Sequence, residues 1–291
     1  MENKLPSYGG QAVIEGVLMR GKSSVAMATR APNDEIFIHK EKLTGIYTSK
    51  LAKIPFLRGL IVLWDSLGLG MRYLTLSANV QTGEDEKLEG PTLFITLFIS
   101  LSFGILVFFL LPAFISGLIA RLPGISAWTS NLIEGGIRLV ILILYLWIIG
   151  QMSDIRRVFM YHGAEHKTIN AFENGVILTP ENVKSFPVAH GRCGTSFILT
   201  LVIMSIIIFT LIGPLPLHWR LLTRILMIPI LAGLSYEYIR LISKNLDSPI
   251  AKAIIMPNLF LQRMTTREPT TDMIEVSIRA FNEMREMESD L

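Results

Sequence analysis

His162-Gly163-Ala164-Glu165-His166 places two imidazoles and a carboxylate within five residues. On a helix, positions i and i+4 share a face and i+3 lies beside them. The spacing therefore turns His162, Glu165 and His166 toward one point, where they can ligate a single cation. The order His-x-x-Glu-His reverses the metalloprotease His-Glu-x-x-His and matches the inverzincin pattern. Only 5 histidines occur in 291 residues, and two of them are here. The expected cofactor is a divalent metal ion, with zinc the leading candidate. Such a site needs neutral imidazoles, a third ligand and, if it is catalytic, an open position. Glu173, at i+7 from His166, and Glu237 are the candidates for that third ligand. Glu165 is either a further ligand or the base that deprotonates a water on the cation. Asn170, at i+4 from His166, is placed to support a ligand from behind. The competing reading is a polar surface helix that binds no metal.

A second constellation is His190-Gly191-Arg192-Cys193-Gly194-Thr195-Ser196. His190 and Cys193, at x₂ spacing, are further candidate ligands. Cys193 also precedes an apolar run, so it fits a thiolate of lowered pKa at a helix start. The same helix start, with Arg192 and hydroxyls, suits an anion. The competing reading is that Gly194, Thr195 and Ser196 simply cap a helix. A third segment, Tyr8 to Gly21, is glycine-rich but matches neither a P-loop nor a dinucleotide fingerprint. Gln11, Glu15 and Arg20 are its candidates to reach a site, although a packed β-turn structure accounts for the pattern better.

These groups must be positioned by a membrane protein. The chain is 51% hydrophobic and 18% charged, with a mean hydropathy of +0.48. Soluble domains run near a quarter charged. The single cysteine excludes an intrachain disulfide. The net charge of +3 is a membrane-surface bias, and nucleic acid is not an expected partner. Residues 1–10 lack an apolar h-region, so no cleaved signal is expected. Apolar runs predict about four transmembrane helices, at Thr92 to Ala120, Ile133 to Gln151, Ser196 to Leu215 and Leu221 to Ile242. Glu134 and Arg138, at i,i+4 in the second, are placed to pair. Lys and Arg concentrate in the connection between the second and third spans and in both terminal regions. Both termini are therefore expected in the cytoplasm, the chain crossing the membrane several times. That orientation brings His162, Glu165, His166, His190, Cys193 and Glu237 to one depth, the inner face.

The expected fold is thus an α-helical integral membrane protein with a small β-rich amino-terminal cytoplasmic region and an interfacial amphipathic helix. Its parts are a β-rich region over 1–53, the amphipathic helix and an acidic connector over 54–91, two spans over 92–151, a cytoplasmic loop with both motifs over 152–195, two spans over 196–242 and a tail over 243–291. Ala31-Pro32-Asn33-Asp34 reads as a hairpin turn between strands at Val25 to Thr29 and Glu35 to His39. Ile54 to Asn79 carries a polar seam at Arg58, Asp65, Arg72 and Asn79. It reads as an interfacial helix on the inner leaflet or, equally well, as a buried helix of the cytoplasmic part. In the tail, Ile274, Ile278 and Phe281 form the stripe of a docking helix that starts near Asp272.

Four ordered motifs resemble those of the YqhQ-like bacterial membrane proteins, a domain-of-unknown-function family described as predicted metal-dependent enzymes. They are Gly9 to Val13 with Glu15 to Gly21, Tyr161 to Ile169, His190 to Phe197, and Thr265-Thr266-Arg267-Glu268-Pro269. The chain departs from the family pattern at Gly191, where proline is usual, and at Leu18, often methionine. The resemblance implies a membrane protein with a metal site, adds Arg267 and Glu268 as site candidates, and implies no particular substrate. Three functions remain: a metal-dependent enzyme, by preference a hydrolase at the cytoplasmic face; a scaffold or assembly factor with a structural metal; and, ranked last, a transporter or channel. The expected partners are the lipid bilayer and either a second copy or another membrane protein.

Overall fold

The computed structural model describes residues 8–43, 54–82, 90–191, 193–213, 215–243 and 248–289. The acidic connector at Glu84 to Lys87 and the residue Arg192 lie outside them. Four strands form an antiparallel meander in the order β1 (Gly9–Val13), β2 (Gly16–Arg20), β3 (Ser24–Arg30) and β4 (Ile36–Lys42). Side chains alternate across a strand. Val17, Met19, Ala26 and Ala28 therefore share one core, and Leu18, Val25 and Met27 share another. This explains why β2 and β3 are apolar almost throughout: both faces of the sheet are covered.

Helix α1 (Leu57–Thr82) covers one face through Leu69 and Tyr73. The buried-helix reading thus holds for its second half, while near its start Gly59 packs closely on Gly233 and Tyr236 of a later helix. In the polar seam, Arg58 pairs with Glu237 and Arg72 with Glu41. The other face carries α5 (Ser153–Glu173) and α11 (Thr271–Ser289), which meet through Tyr161, Ala164, Ile274, Phe281 and Met284. The docking stripe of the tail is therefore a main component of the core.

The apolar part begins with α2 (Gly90–Ile105), a π-helical turn at Leu106–Leu110 and α3 (Leu111–Ile119). It continues with α4 (Ala127–Ile149) and α7 (Thr195–Ile212), after the short α6 (Pro180–Lys184). Among the described residues, three helices are long and apolar enough to cross a membrane: Phe94–Ile119, Trp128–Ile149 and Thr195–Ile212. The expected fourth span is not one straight helix. It divides into α8 (Leu217–Leu226) and α9 (Ile228–Ser243), bent by 49°, and counts as a fourth only if the pair is a single broken span. Pro229 accounts for the break, because its ring clashes with the preceding turn and it has no N–H to donate. A further helix, α10 (Pro249–Thr265), occupies a stretch with no predicted element. Pro257 lies inside it and masks its helical pattern.

Glu134 and Arg138 pair as their spacing predicts, at 2.8 Å with both side chains 1% exposed. Arg224 adds two more bonds to the same carboxylate, at 2.8 and 2.7 Å. Arg138 also donates from Nε to the Phe108 carbonyl, 2.8 Å away in the π-helical turn.

Close backbone packing against the segment between α10 and α11 fixes the motif helix. A methyl added at Gly163 would lie 2.1 Å from the Arg267 carbonyl oxygen, whereas one at Gly136 would meet nothing within 4 Å. Gly163→Ala is expected to cost about 1–3 kcal/mol, because backbone must move. Gly136→Ala should stay within about 0.5 kcal/mol of wild type. Denaturant or thermal unfolding of both variants in detergent checks this, and equal stability would refute the packing argument.

Candidate metal centre

Helix α4 runs out into α5, and α7 starts just after Cys193, so the two motifs meet at one end of the apolar helices. One ligand atom each from His162, His166 and Cys193 lies within 4.8 Å of the other two. His162 and His166 come from adjacent turns of α5, with ring centroids 4.4 Å apart. Cys193 is 31 residues from His162 in sequence, yet its Sγ is 3.2 Å from His162 Nε2.

The second nitrogen of each imidazole is held by backbone. His162 Nδ1 is 2.8 Å from the Thr265 carbonyl oxygen of α10, and His166 Nδ1 is 2.6 Å from that of Val188. A carbonyl can only accept, so each Nδ1 carries the proton and each Nε2 is directed to the sulfur side. Metal-binding histidines are fixed in this way, by a hydrogen bond from the nitrogen that does not ligate. The carbonyls are themselves braced. Asn170 donates to Pro187 and Ala189 carbonyls at 2.8 and 3.0 Å, on either side of Val188. Gln262 makes two 3.0 Å bonds with the backbone of His190. Cys193 Sγ accepts from the Thr195 N–H at 3.4 Å and lies 3.0 Å from its hydroxyl.

Electrostatics favour a thiolate and an imidazolium. Burial alone would lower the pKa of His162. The Cys193 sulfur, Glu165 and the Thr265 carbonyl outweigh it and push His162 up to about 9. Burial likewise raises Cys193, but the two imidazoles bring its thiol well below the ordinary value. His190 moves the other way: burial lowers it, against the pull of Glu165. The proton shared between His162 and Cys193 is the one a cation would displace. Two imidazole nitrogens and a thiolate fit zinc in donor type and number, leaving room for a fourth ligand.

The structure sorts the other candidates. Glu165 is buried, with Oε2 3.4 Å from His166 Nε2. A methyl at Gly10 would lie 2.8 Å from Glu165 Cγ, so only glycine lets β1 cross this side chain. His190 stands beside the triad, its ring 5.5 Å from that of His166, but its Nε2 faces Glu173 at 3.6 Å. Glu173 thus faces His190, and Cys193 stands beside the two histidines where Glu173 was expected. Glu237 is not brought to this cluster. It binds Arg58 and accepts from the Phe56 N–H at 3.0 Å, because α1 lies along α9 and supplies a nearer cation.

Glu15 binds Arg157 at 2.5 Å and accepts from Tyr161 at 3.3 Å, which ties the β1–β2 turn to α5. Gln11 packs on Gly70 of α1, and Arg20 ends β2 opposite Gly9. Glu268 reaches Lys167 at 2.6 Å, while Arg267 acts through its backbone, donating to the Phe159 carbonyl at 2.9 Å. Gln262 and Val188 were not foreseen, nor was Thr195 as a partner of the Cys193 sulfur. Their parts are played largely by backbone or by contacts far apart in sequence, which no local pattern records.

Over residues 54–287 the chain matches the family model "Protein of unknown function (DUF1385)". It is 36% identical over 302 aligned residues to "Uncharacterized protein YqhQ" of Bacillus subtilis (strain 168), covering 98% of this chain and 94% of that one. No solved structure matches. The motifs, the family model and the near full-length relative agree, and the chain belongs to the DUF1385 family of YqhQ-like proteins.

Proposed function

We propose that the chain is a metal-dependent membrane enzyme, a hydrolase acting at the cytoplasmic face of the bacterial plasma membrane. The observation that carries this is the triad: three ligand atoms within 4.8 Å, with both histidines oriented by carbonyls on their far nitrogens. His162, His166 and Cys193 hold a zinc-class cation, and Glu165 is the acid–base group. Such a cation polarises a carbonyl or phosphoryl oxygen and lowers the pKa of water. Glu165, buried beside His166, takes up and returns the proton of the attacking water. The substrate classes that fit are peptides and lipid-linked or phosphorylated compounds.

The membrane reading rests on the apolar helices. The Phe94–Ile119 segment has a mean hydropathy of 2.7 over its best window, none of it buried within the chain. Lipid, a second copy or another membrane protein must cover that surface. The basic segments favour a cytoplasmic location for both termini and for the triad.

Zinc-loaded protein is assayed against peptide, lipid-ester and phosphoester substrates in bilayers. Glu165→Gln is expected to keep metal and fold and to lose at least about 10²-fold in turnover. Full turnover in that variant would remove Glu165 from the chemistry.

A second reading is favoured by burial: His166 is 1% exposed, and the triad ties α5 to the start of α7 and the end of α10. A structural metal would lock these elements. Chelation then unfolds the region, rather than only stopping turnover.

A further inference from the structure

A second polar cluster lies at the opposite end of the apolar helices. The start of α4 sits beside the far end of α7, because Asn131 donates to the Phe209 and Gly213 carbonyls at 3.0 Å each. Here Glu134, Arg138, Arg220 and Arg224 are all buried, the least so being Arg220 at 4% exposed. Glu134 is the only acidic residue between Pro91 and Ile149, and there is none between Gly194 and Tyr236. Three guanidinium groups therefore share one carboxylate, and Arg138 and Arg224 already occupy it.

Among the described residues, Arg220 hydrogen-bonds to hydroxyls alone. Its Nη1 donates to Ser130 Oγ at 3.0 Å and Ser116 Oγ at 3.4 Å. Its Nε is buried with no acceptor among the described residues. Arg224, at i+4 on the same helix, repels it. Glu134 acts on Arg220 only through space and makes no ion pair with it. A buried cation with no direct ion-pair partner is costly, and ionisable groups at such depth mark binding sites. The depth suggests the ligand. Trp219 is next to Arg220 and 52% exposed, and Trp128, at the start of α4, is 49% exposed. Tryptophans of this kind sit at the headgroup level of a bilayer.

We infer that Arg220 is the centre of a phosphate-binding site at the end of the bundle remote from the triad. The guanidinium has N–H groups to spare and matches phosphate geometry. The phosphate is that of an anionic phospholipid headgroup or a free phosphate. The inference rests on the membrane-spanning part of the proposed function and is independent of the metal.

The test begins with extraction of the full chain from washed membranes. A chain that stays in solution without detergent ends the membrane reading, and this inference with it. Detergent-solubilised protein is then titrated with dioleoylphosphatidylglycerol, with dioleoylglycerol and with inorganic phosphate, and binding is followed by native mass spectrometry. Wild type should prefer the phosphatidylglycerol to the diacylglycerol by about tenfold or more. Arg220→Gln should abolish that preference, and Arg220→Lys should retain part of it. Competition by millimolar phosphate identifies a free anion as the ligand; preference without competition identifies the lipid. Equal binding of the two lipids by wild type, with no effect of phosphate, overturns the inference, as does an unchanged preference in Arg220→Gln. If Arg220→Gln does not fold, the wild-type titrations decide alone.

Discussion

Protein purified in detergent should carry about one transition-metal ion per chain, and a His162→Ala/His166→Ala variant none. Elemental analysis beside circular dichroism measures this directly. The expectation follows from the tautomers: both Nδ1 protons go to carbonyls, so both Nε2 atoms are free to face Cys193. Cys193→Ser should keep the fold and weaken binding by more than the 10–100-fold typical of losing a supporting group.

The proton between His162 and Cys193 adds a pH dependence with a definite sign. His162 stays protonated below about 9, and a cation needs it neutral. Loading near neutral pH should therefore release about one proton from this pair. Affinity should then fall about tenfold for each pH unit lowered below that value. Calorimetry in buffers of different ionisation enthalpy counts the protons. No metal in either protein after attempted loading would sink the centre, and the motif helix would then be a packing element.

Glu134→Gln is expected to lower stability by about 3–5 kcal/mol, among the largest effects of any single change here. The substitution preserves shape but leaves Arg138 and Arg224, each 1% exposed, without a counter-charge. Removing one cation as well, in Glu134→Gln/Arg224→Met, should recover part of the loss, because an unpaired buried charge costs more than an absent pair. Unfolding in detergent of the two variants gives the comparison. Wild-type stability in Glu134→Gln would show that the carboxylate is not what holds the arginines inside.

Much of this protein is legible in its sequence because the signals are local. Continuous apolar runs identify the long helices, since no polar group tolerates an apolar surround unpaired. The i, i+3, i+4 spacing puts His162, Glu165 and His166 together on α5, and i,i+4 spacing pairs Glu134 with Arg138. The hairpin at Ala31 to Asp34 follows from turn chemistry. Elements broken by proline are harder to read. Pro229 bends the fourth apolar segment, and Pro257 conceals α10, which supplies the carbonyl that orients His162.

The choice among distant partners is a tertiary matter. By itself, the sequence determined an apolar helical protein, a small β-rich start and a pair of histidines on one helix face. It left Glu173 and Glu237 as candidates for the third ligand, and His190 and Cys193 as further candidates. Only the packing of α7 and α10 against α5 brought Cys193 to His162, turned Glu173 toward His190 and gave Glu237 to Arg58. Spacing along one helix fixes which side chains share a face, whereas a ligand from another segment is fixed by how whole elements pack.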